Sequence, residues 1–430
     1  MTTKFYPTLL DFSPTVFRAV GVGTSAGRAA IGFQGAASGR LGTSAKYVAA
    51  DPETGEIAGF DPMGFRAERF ALQEVARSIL PTSRTAKCLR IRAHGQQAQV
   101  WRSREFGTTS YGGLQTCGSV WACPVCAAKI AERRRAEVVA AMTAHKAAGG
   151  CVNMLTLTTP HQRGDDLAEL LASQAKAVKA FWADWTVKAV LEEMGTVGQI
   201  RALEVTNGRR SVSNNGWHPH YHVLVFGGVG VDLVRFSHNQ MQVWSDRLYE
   251  RWAAKCLAAG LGLPSREHGL KLHDGSQAAA YAAKWGLEHE MTKGHTKKAK
   301  QGSETPFDLL RAVLADPDDA QAAALFKEFA DVFKGKRQLH WSKGLKARFA
   351  IEETSDEELA ERLEEDAELV GVMTLEQWRD VLAVKGRAVV LCSAASGGWP
   401  AVSAYLGTIK GASFRRLEKL SGRDFRPSPS

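Results

Sequence analysis

The chain has 430 residues, of which 44% are hydrophobic and 23% charged, and its formal net charge is +10. This is the composition of an ordinary soluble protein with room for two or three domains, and it excludes collagen-like and fully disordered chains. No apolar run of membrane-spanning length is apparent and the first residues lack a signal-peptide layout, so we expect a cytoplasmic protein without a membrane partner.

The charge balance and the cysteine count indicate the chemistry of the partners. An excess of ten positive charges favours a polyanion such as nucleic acid. Seven cysteines are an odd number, which argues against a disulfide framework. We expect a metal site and a few lone thiols instead.

The first two segments differ in composition. Residues 1–80 are rich in Gly, Ala and Ser, as in GVGTSAGRAAIGFQGAASGRLGTSA, and predict a flexible leader. Residues 81–145 carry most of the cysteines and are interpreted as a zinc-knuckle segment. There, CLRIRAHGQQAQVWRSREF alternates as short strands do, and AAKIAERRRAEVVAAMTAHKAAGG predicts a helix that ends at Gly149 and Gly150.

The stretch CGSVWACPVC brings three cysteines together. Cys123 and Cys126 form a CxxC pair, whose thiolates can bind one ion from a tight turn, and Cys117 precedes them by six residues. A structural zinc needs a fourth ligand, for which we predict Cys88, with His94 as the alternative. A redox-active CxxC is the competing interpretation, but the thioredoxin-like context is missing.

Residues 146–300 predict an α+β core. A strand is expected first, then a helix, two strands joined by a polar turn, a helix, a short strand and a last helix. This order indicates an antiparallel, ferredoxin-like sheet covered by helices. The segments are, in the same order, CVNMLTLTTP, one long helix over residues 165–195, IRALEVTN, GWHPHYHVLVF, residues 231–260, LKLHD and GSQAAAYAAKWGLEHEMTK.

Three histidines occupy alternate positions of the strand GWHPHYHVLVF. Neighbouring ones share a face about 7 Å apart at their Cα atoms, so two can bind one ion, whereas three span too far. We therefore predict His220 and His222 as metal ligands, with His218 as the weaker candidate. Glu204, in the preceding strand, is the candidate carboxylate ligand if the two strands pair through the turn at residues 207–216.

Tyr281 and Lys284 lie three residues apart, on one face of the last predicted helix. A free tyrosine has a pKa near 10, so at neutral pH it needs a nearby ammonium group or a metal-polarised phosphate to act as a nucleophile. Taken alone, such a pattern more often marks a helix with a half-buried Tyr and a Lys that reaches solvent.

Together these segments resemble the rolling-circle plasmid replication initiators, a branch of the HUH endonuclease superfamily. The three family motifs are matched in order by LTLTTP at residues 155–160, by His220-Tyr221-His222 and by Tyr281-Ala-Ala-Lys284. The cysteine knuckle and LHWSKGLK are also similar to the plasmid branch, so the resemblance covers roughly residues 85–350. One departure is Gln277, where some relatives with a single catalytic tyrosine carry an acid used in termination.

The resemblance implies a function and a mechanism. The protein is expected to bind the double-strand origin of a plasmid and to nick one strand with Tyr281, leaving a 5′-phosphotyrosine link and a free 3′-OH. A divalent ion, Mn²⁺ or Mg²⁺, is expected on His220, His222 and Glu204. Lys284 would orient the phosphate or lower the pKa of Tyr281, and a host helicase and polymerase are the expected protein partners.

The last region, residues 301–430, predicts mainly helices and a DNA-binding role. Two basic stretches are expected to neutralise DNA phosphates: residues 133–135 in the zinc-knuckle segment and residues 334–348 in the last region. Trp341, within the second stretch, is expected to stack on an unpaired base. The acidic stretch EETSDEELAERLEEDAE is interpreted as a solvated helix face. The residues expected to contact DNA are Arg133, Arg134, Arg135, Lys336, Arg337, Trp341 and Lys343.

Two other functions fit parts of the sequence. An HUH-type transposase or relaxase would use the same three motifs. A non-catalytic DNA-binding regulator would need only the zinc knuckle. Nicking of a supercoiled origin plasmid separates the regulator from the enzymes, and the DNA that flanks the gene separates a transposase from an initiator.

Overall fold

The computed structural model describes residues 62–228, 238–273 and 302–421. Within these ranges the chain is α+β, as predicted, and its strands form two antiparallel sheets. The strands are β1 (Ala98–Ser103), β2 (Thr109–Gly112), β3 (Cys151–Thr158), β4 (Gly198–Asn207), β5 (Trp217–Gly227), β6 (Leu270–His273), β7 (Leu339–Trp341) and β8 (Ala367–Met373). The helices are α1 (Pro62–Ile79), α2 (Arg84–Lys87), α3 (Pro124–Ala147), α4 (Leu167–Ala183), α5 (Trp185–Glu193), α6 (His238–Ala258), α7 (Pro306–Ala315), α8 (Ala320–Val332), α9 (Leu345–Arg348), α10 (Asp356–Glu361), α11 (Leu375–Ala383), α12 (Arg387–Thr408) and α13 (Ala412–Ser421).

The central sheet has five strands in the order β6-β3-β5-β4-β7, and every neighbouring pair is antiparallel. Its first four strands in the chain are β3 to β6, in the strand–helix–strand–strand–helix–strand order that the sequence predicts. The predicted pairing of β4 with β5 is confirmed, and it places Glu204 directly opposite His220.

The predicted long helix over residues 165–195 is wrong in one respect, because it is two helices that meet at Asp184. Asp184 has extended backbone angles, and its carboxylate accepts a hydrogen bond from the Thr186 backbone at 2.9 Å, which caps α5. Lys255 of α6 pairs with the same carboxylate at 2.8 Å. The helical spacing of apolar residues continues through Asp184, so the sequence pattern gave no sign of the break between α4 and α5.

Helices pack against both faces of the central sheet. Val223 and Val225 of β5 are buried in one cluster with Phe181 of α4 and Trp252 of α6. On the opposite face, Leu224 and Phe226 are buried in another cluster with α3. Side chains alternate along a strand, so His220 and His222 lie on the α3 face, just beyond the residues that α3 covers.

The second sheet has three strands in the order β2-β1-β8, with a register irregularity between Val100 and Trp101. Its buried cluster includes Val100 together with Trp378 of α11 and Val390 of α12. The Trp378 indole donates to the Arg90 carbonyl at 2.8 Å, which fixes α11 beside the chain that follows the first cysteine.

The segment boundaries that the sequence predicts at residues 80 and 300 do not separate independently packed parts of the structure. The prediction of a flexible leader is wrong for Pro62–Ile79, because α1 is a helix with Leu72 and Ala76 fully buried. Residues 1–61 lie outside the described residues. From the predicted C-terminal region, β7 pairs with β4 in the central sheet and β8 pairs with β1, so both sheets depend on residues beyond 300.

One segment of the described residues, Arg387–Arg416, is long and apolar enough to cross a membrane by length and composition, with a hydropathy of 1.3. The sequence analysis predicted no segment of this kind. Its helix α12 is interrupted at Gly397 and Gly398, which have non-helical backbone angles. Val390 and Val402 are fully buried in the cluster beneath the second sheet, whereas only 28% of the apolar stretch as a whole is buried.

Candidate functional site

The hairpin of β4 and β5 positions the predicted metal ligands. Its polar turn is closed by a hydrogen bond from the Gly208 backbone to the Gly216 carbonyl at 2.8 Å. Arg209 anchors the turn from the side, because its guanidinium pairs with Glu304 at 2.6 Å and with Asp319 at 2.9 Å. The strand register is therefore held at the end of the hairpin nearest the histidines.

The structure brings Glu204, His220 and His222 together, with one ligand atom of each within 4.8 Å of the others. Oε2 of Glu204 lies 3.6 Å from Nε2 of His220 and 3.7 Å from Nε2 of His222. Two atoms that bind one ion at about 2.1 Å each can be at most about 4.2 Å apart, so both separations fit a shared ion. The three residues are a candidate metal centre of two imidazoles and a carboxylate.

Hydrogen bonds at the other ring nitrogens orient the two imidazoles. Nδ1 of His222 lies 3.1 Å from the Thr156 hydroxyl of β3, and Nδ1 of His220 lies 3.2 Å from the His218 carbonyl. Partners of this kind fix the ring orientation of metal-binding histidines. Both Nε2 atoms consequently face Glu204.

The protonation state of His222 suits a metal ligand. Burial lowers the pKa of His222 to about 4, and the nearby charge of Glu204 only partly opposes that shift. The imidazole is therefore neutral at pH 7, which is the form that binds metals.

His218 lies next to this group but outside it. Its ring stacks on that of His220, with a centroid distance of 4.9 Å, and on that of His161, with a distance of 4.5 Å. Burial lowers the pKa of His218 to about 3. Of the three histidines on the strand, the two that we favoured from the sequence are the two that converge on the carboxylate.

Tyr281, Lys284 and Gln277 all lie outside the described residues. Their roles stay predictions from the sequence.

Four cysteines form a second candidate metal centre: Cys88, Cys117, Cys123 and Cys126. Their Sγ atoms are 3.4 Å apart between Cys88 and Cys126, 3.6 Å between Cys117 and Cys126, and 3.7 Å between Cys88 and Cys123. A disulfide needs about 2.05 Å, whereas tetrahedral zinc–sulfur bonds of about 2.3 Å place sulfurs about 3.8 Å apart. The separations fit a four-thiolate metal site, and the structure brings in Cys88 rather than His94 as the fourth ligand.

Polar side chains from two helices surround the thiols. The amide of Gln73 in α1 donates to Cys123 Sγ at 3.1 Å, and the Gln73 oxygen accepts from Arg387 of α12 at 2.6 Å. Burial alone would raise the pKa of Cys123, but hydrogen bonds from the neighbouring thiols lower it well below its ordinary value. A lowered pKa favours the thiolate, the form that binds metal.

The three consecutive arginines are engaged within the chain. Arg133 pairs with Glu364 at 3.2 Å, Arg134 pairs with Asp356 at 2.8 Å, and Arg135 pairs with Glu132. The expectation that they form a phosphate-binding face is therefore not supported. The interpretation of the acidic stretch as a solvated helix face holds for Glu357, Glu358 and Glu361, which are exposed on α10. It does not hold for Asp356 and Glu364, whose carboxylates pair with the arginines of α3.

The second predicted DNA-contacting group divides into two parts. Lys336, Arg337 and Lys343 are exposed, as a phosphate-binding surface requires. Trp341 is part of β7 and packs against the cluster beneath α3, and the Lys346 ammonium lies 5.5 Å from its ring centre. Trp341 is therefore a packing residue in this structure rather than an exposed stacking platform.

Two supporting residues were missed from the sequence. Thr156 and Thr158 are two residues apart on β3, so their side chains point to the same face of the sheet. That is the face of His220 and His222, with which they pair, and the alternation of polar and apolar residues along β3 could have indicated it. No sequence pattern pointed to Gln73. It lies in α1, within residues 1–80, whose Gly, Ala and Ser content predicted a flexible leader and not a helix.

The fold and the two centres define a class: an α+β protein whose antiparallel sheet carries a His-x-His strand beside a carboxylate, with a separate four-cysteine cluster. Residues 113–254 match the model of a family described as replication protein. The match contains three of the four clustered cysteines and the whole β4–β5 hairpin.

Two curated relatives are similar to the chain. It is 26% identical over 305 residues to the protein named Protein rep of Streptomyces lividans, a match that covers 57% of this chain and 66% of that protein. It is 31% identical over 140 residues to the protein named Neomycin resistance protein of Streptomyces cyanogenus, which covers 27% of this chain and 31% of that protein. No solved structure matches the chain. The family model and the first relative confirm the resemblance to plasmid replication initiators.

Proposed function

We propose that the protein is a plasmid replication initiator that nicks one strand of a double-strand origin through Tyr281. The observation that carries the proposal is the convergence of Glu204, His220 and His222 within the segment that matches the replication-protein family. A carboxylate and two neutral imidazoles suit a divalent ion that binds phosphate oxygens.

The sheet topology supports assignment to the HUH endonucleases. The order β6-β3-β5-β4 is the order that a ferredoxin-like strand–helix–strand–strand–helix–strand unit adopts. In it, the strand carrying LTLTTP lies directly beside the histidine strand, with Thr156 opposite His222. The first two motifs of the family are thus adjacent in space, as a shared active site requires.

Glu204, His220 and His222 would hold Mn²⁺ or Mg²⁺. Such an ion supplies Lewis-acid polarisation of the scissile phosphate and neutralises charge that develops on its oxygens. Thr156 and the His218 carbonyl would keep the two imidazoles in the required orientation.

The nicking step is a transfer of one phosphodiester bond. The Oη atom of Tyr281 attacks phosphorus, a new P–O bond forms to the tyrosine, and the bond from phosphorus to the 3′ oxygen breaks. The phenol proton is lost and the departing 3′ oxygen gains one, so a 5′-phosphotyrosine link and a free 3′-OH result. Lys284 would orient the phosphate or favour the ionised phenol through its positive charge.

The four cysteines would hold a structural Zn²⁺. They supply all four positions of a tetrahedral site, so no position is left for a substrate. The exposed cations Lys336, Arg337 and Lys343 are the proposed phosphate contacts on the surface of the protein.

The direct test is nicking of a supercoiled plasmid that carries the DNA flanking the gene. Tyr281→Phe removes only the nucleophilic oxygen, so we expect nicking to be abolished while binding to the same DNA survives. Tyr249→Phe is the matched control, because that hydroxyl donates to the Pro264 carbonyl on the α6 side of the sheet. Unchanged nicking by Tyr281→Phe would rule out this residue as the nucleophile.

A further inference from the structure

A cavity of about 640 Å³ lies between α1, the β1–β2 hairpin, the start of α3 and the end of α10. Glu204, His220 and His222 do not line it. Its volume falls within the range of small-molecule sites in proteins.

Four cations line this cavity: Arg66, Arg69, Arg84 and Lys129. The side chains of Arg66 and Lys129 are partly buried, and burial lowers the pKa of both, in the case of Lys129 to about 8. Removing a cation from water is costly unless an anion or hydrogen bonds replace the lost hydration.

The partners of these two cations inside the chain are not carboxylates. Arg66 donates to the Thr109 hydroxyl at 3.1 Å and to Cys392 Sγ at 3.7 Å. Lys129 donates to the Ala360 carbonyl at 2.7 Å, at the end of α10. Neither cation forms an ion pair with a carboxylate among the described residues, although Glu364 and Glu361 lie near enough to Lys129 to raise its pKa in part.

Two carboxylates also line the cavity, and they do not cancel its charge. Glu132 is paired with Arg135 at 2.8 Å, and that arginine does not line the cavity. Glu361 accepts a hydrogen bond from Thr116 at 3.3 Å. Among the residues that line the cavity, four cations thus stand against two carboxylates, one of which is paired with an arginine outside the lining.

The remaining walls suit a base and a sugar. The amides of Gln96, Gln99 and Gln115 offer both donors and acceptors, which are the groups that read the polar edges of a base. Phe70 and Leu114 contribute apolar surface. Cations together with amides and apolar groups in one cavity are the requirements of a ligand that is part phosphate and part base.

We propose that this cavity is a second binding site, which takes a phosphorylated nucleotide. The nucleotide would come either from a single DNA strand or from the free nucleotide pool, and the shared chemistry is one phosphate beside one base. This site is separate from the nicking centre, so it stands whether or not Tyr281 is the nucleophile.

The test is equilibrium binding of radiolabelled deoxyadenosine 5′-monophosphate to the full chain, with deoxyadenosine and inorganic phosphate as competitors. Lys129→Gln removes one cation from the cavity. Arg133→Gln is the matched control, because Arg133 also donates to the end of α10, through the Leu359 carbonyl at 2.7 Å, but does not line the cavity. Ser110→Phe fills the cavity without changing its charge.

We expect the monophosphate to bind, deoxyadenosine to compete at least tenfold less well, and Lys129→Gln and Ser110→Phe each to weaken binding at least tenfold. Arg133→Gln should stay within twofold of the unsubstituted protein. A 5′-phosphorylated tetranucleotide that binds at least tenfold more tightly than the monophosphate identifies a DNA strand as the source, and the reverse order identifies free nucleotide. Absence of monophosphate binding, or equal weakening by Lys129→Gln and Arg133→Gln, would overturn the proposal.

Discussion

The two candidate metal centres differ in how far they are enclosed. The four cysteines are each at most 4% exposed and come from separate segments that α1, α3 and α12 surround. The side chains of Glu204, His220 and His222 are 27%, 14% and 18% exposed and come from one hairpin on one face of a sheet. Among the described residues, the first centre is almost fully buried and the second is partly exposed.

That difference separates a structural site from a reactive one. Four thiolates would complete the tetrahedral coordination of the proposed zinc ion, which would then stabilise the fold and leave no position for a substrate. Three ligands on an open face leave positions for phosphate oxygens. Substitutions should accordingly change stability at the first centre and activity at the second.

The largest expected effect is that of Cys123→Ser. Serine does not replace a thiolate as a zinc ligand, so we expect the chain to lose about one zinc per molecule and more than about 3 kcal/mol of stability. Metal analysis and denaturant unfolding measure the two quantities. Cys151→Ser is the control, because that half-buried thiol lies outside the cluster. Zinc retained at the wild-type level in Cys123→Ser would contradict a four-cysteine zinc site.

His222→Ala should show the opposite pattern. We expect nicking to fall by at least about a hundredfold, because a ligand of the divalent ion is lost, while stability changes by no more than about 1 kcal/mol at this partly buried position, whose side chain is 18% exposed. Calorimetric titration with Mn²⁺ and thermal unfolding give the two measurements. Full Mn²⁺ binding in the variant would remove His222 from the ligand set.

A smaller effect is expected from Thr156→Val. This change removes the hydroxyl beside Nδ1 of His222 and keeps the shape of the side chain, so Mn²⁺ binding should weaken about tenfold. Thr158→Val is the matched control, since Thr158 is on the same face of β3, opposite His220. Equal Mn²⁺ affinity in the two variants would show that Thr156 does not orient the imidazole.

The smallest effect is expected from Asp380→Asn, which tests whether stability can change without either metal. The Asp380 carboxylate accepts hydrogen bonds from the Gly411 and Ser413 backbones at 2.9 and 2.8 Å, ahead of α13. Loss of its charge should cost about 1 kcal/mol and leave both metal contents unchanged.

The same carboxylate gives a pH dependence of defined sign. Burial alone would raise the pKa of Asp380, but hydrogen bonds from Ser413 and Gly411 lower it below its ordinary value of 3.8. A lowered pKa in the folded state contributes stability above about pH 4 that disappears as pH falls through the folded value. Unfolding curves of the wild type and Asp380→Asn should therefore converge in acid, and a difference that grows on acidification would contradict this assignment.

Local patterns in the sequence predicted the histidine centre well. Alternation along β5 placed His220 and His222 on one face, and a single polar turn was enough to bring Glu204 opposite His220. The choice of Cys88 as the fourth thiol also agrees with the structure, although 28 residues of chain lie between it and Cys117 and nothing in the spacing required it.

Long-range pairing was beyond the sequence patterns. Arg134 pairs with Asp356, more than 200 residues away, so a run of arginines and a run of acids that each suggest a solvated surface neutralise one another. Trp341 shows the same limitation, because its role depends on β7 joining β4 in the central sheet. The role of a charged run or of an aromatic residue depends on its neighbours in space, and these are distant in the sequence.

The measurement that tests the central claim most directly is the site of covalent attachment to DNA. The full chain, incubated with Mn²⁺ and a supercoiled plasmid carrying the flanking DNA, should yield a protein–DNA adduct. Mass spectrometry after nuclease and protease digestion should then find a nucleotide on the peptide that contains Tyr281, and His222→Ala should give no adduct. A nucleotide on a different residue, or nicked plasmid without any adduct, would contradict the account.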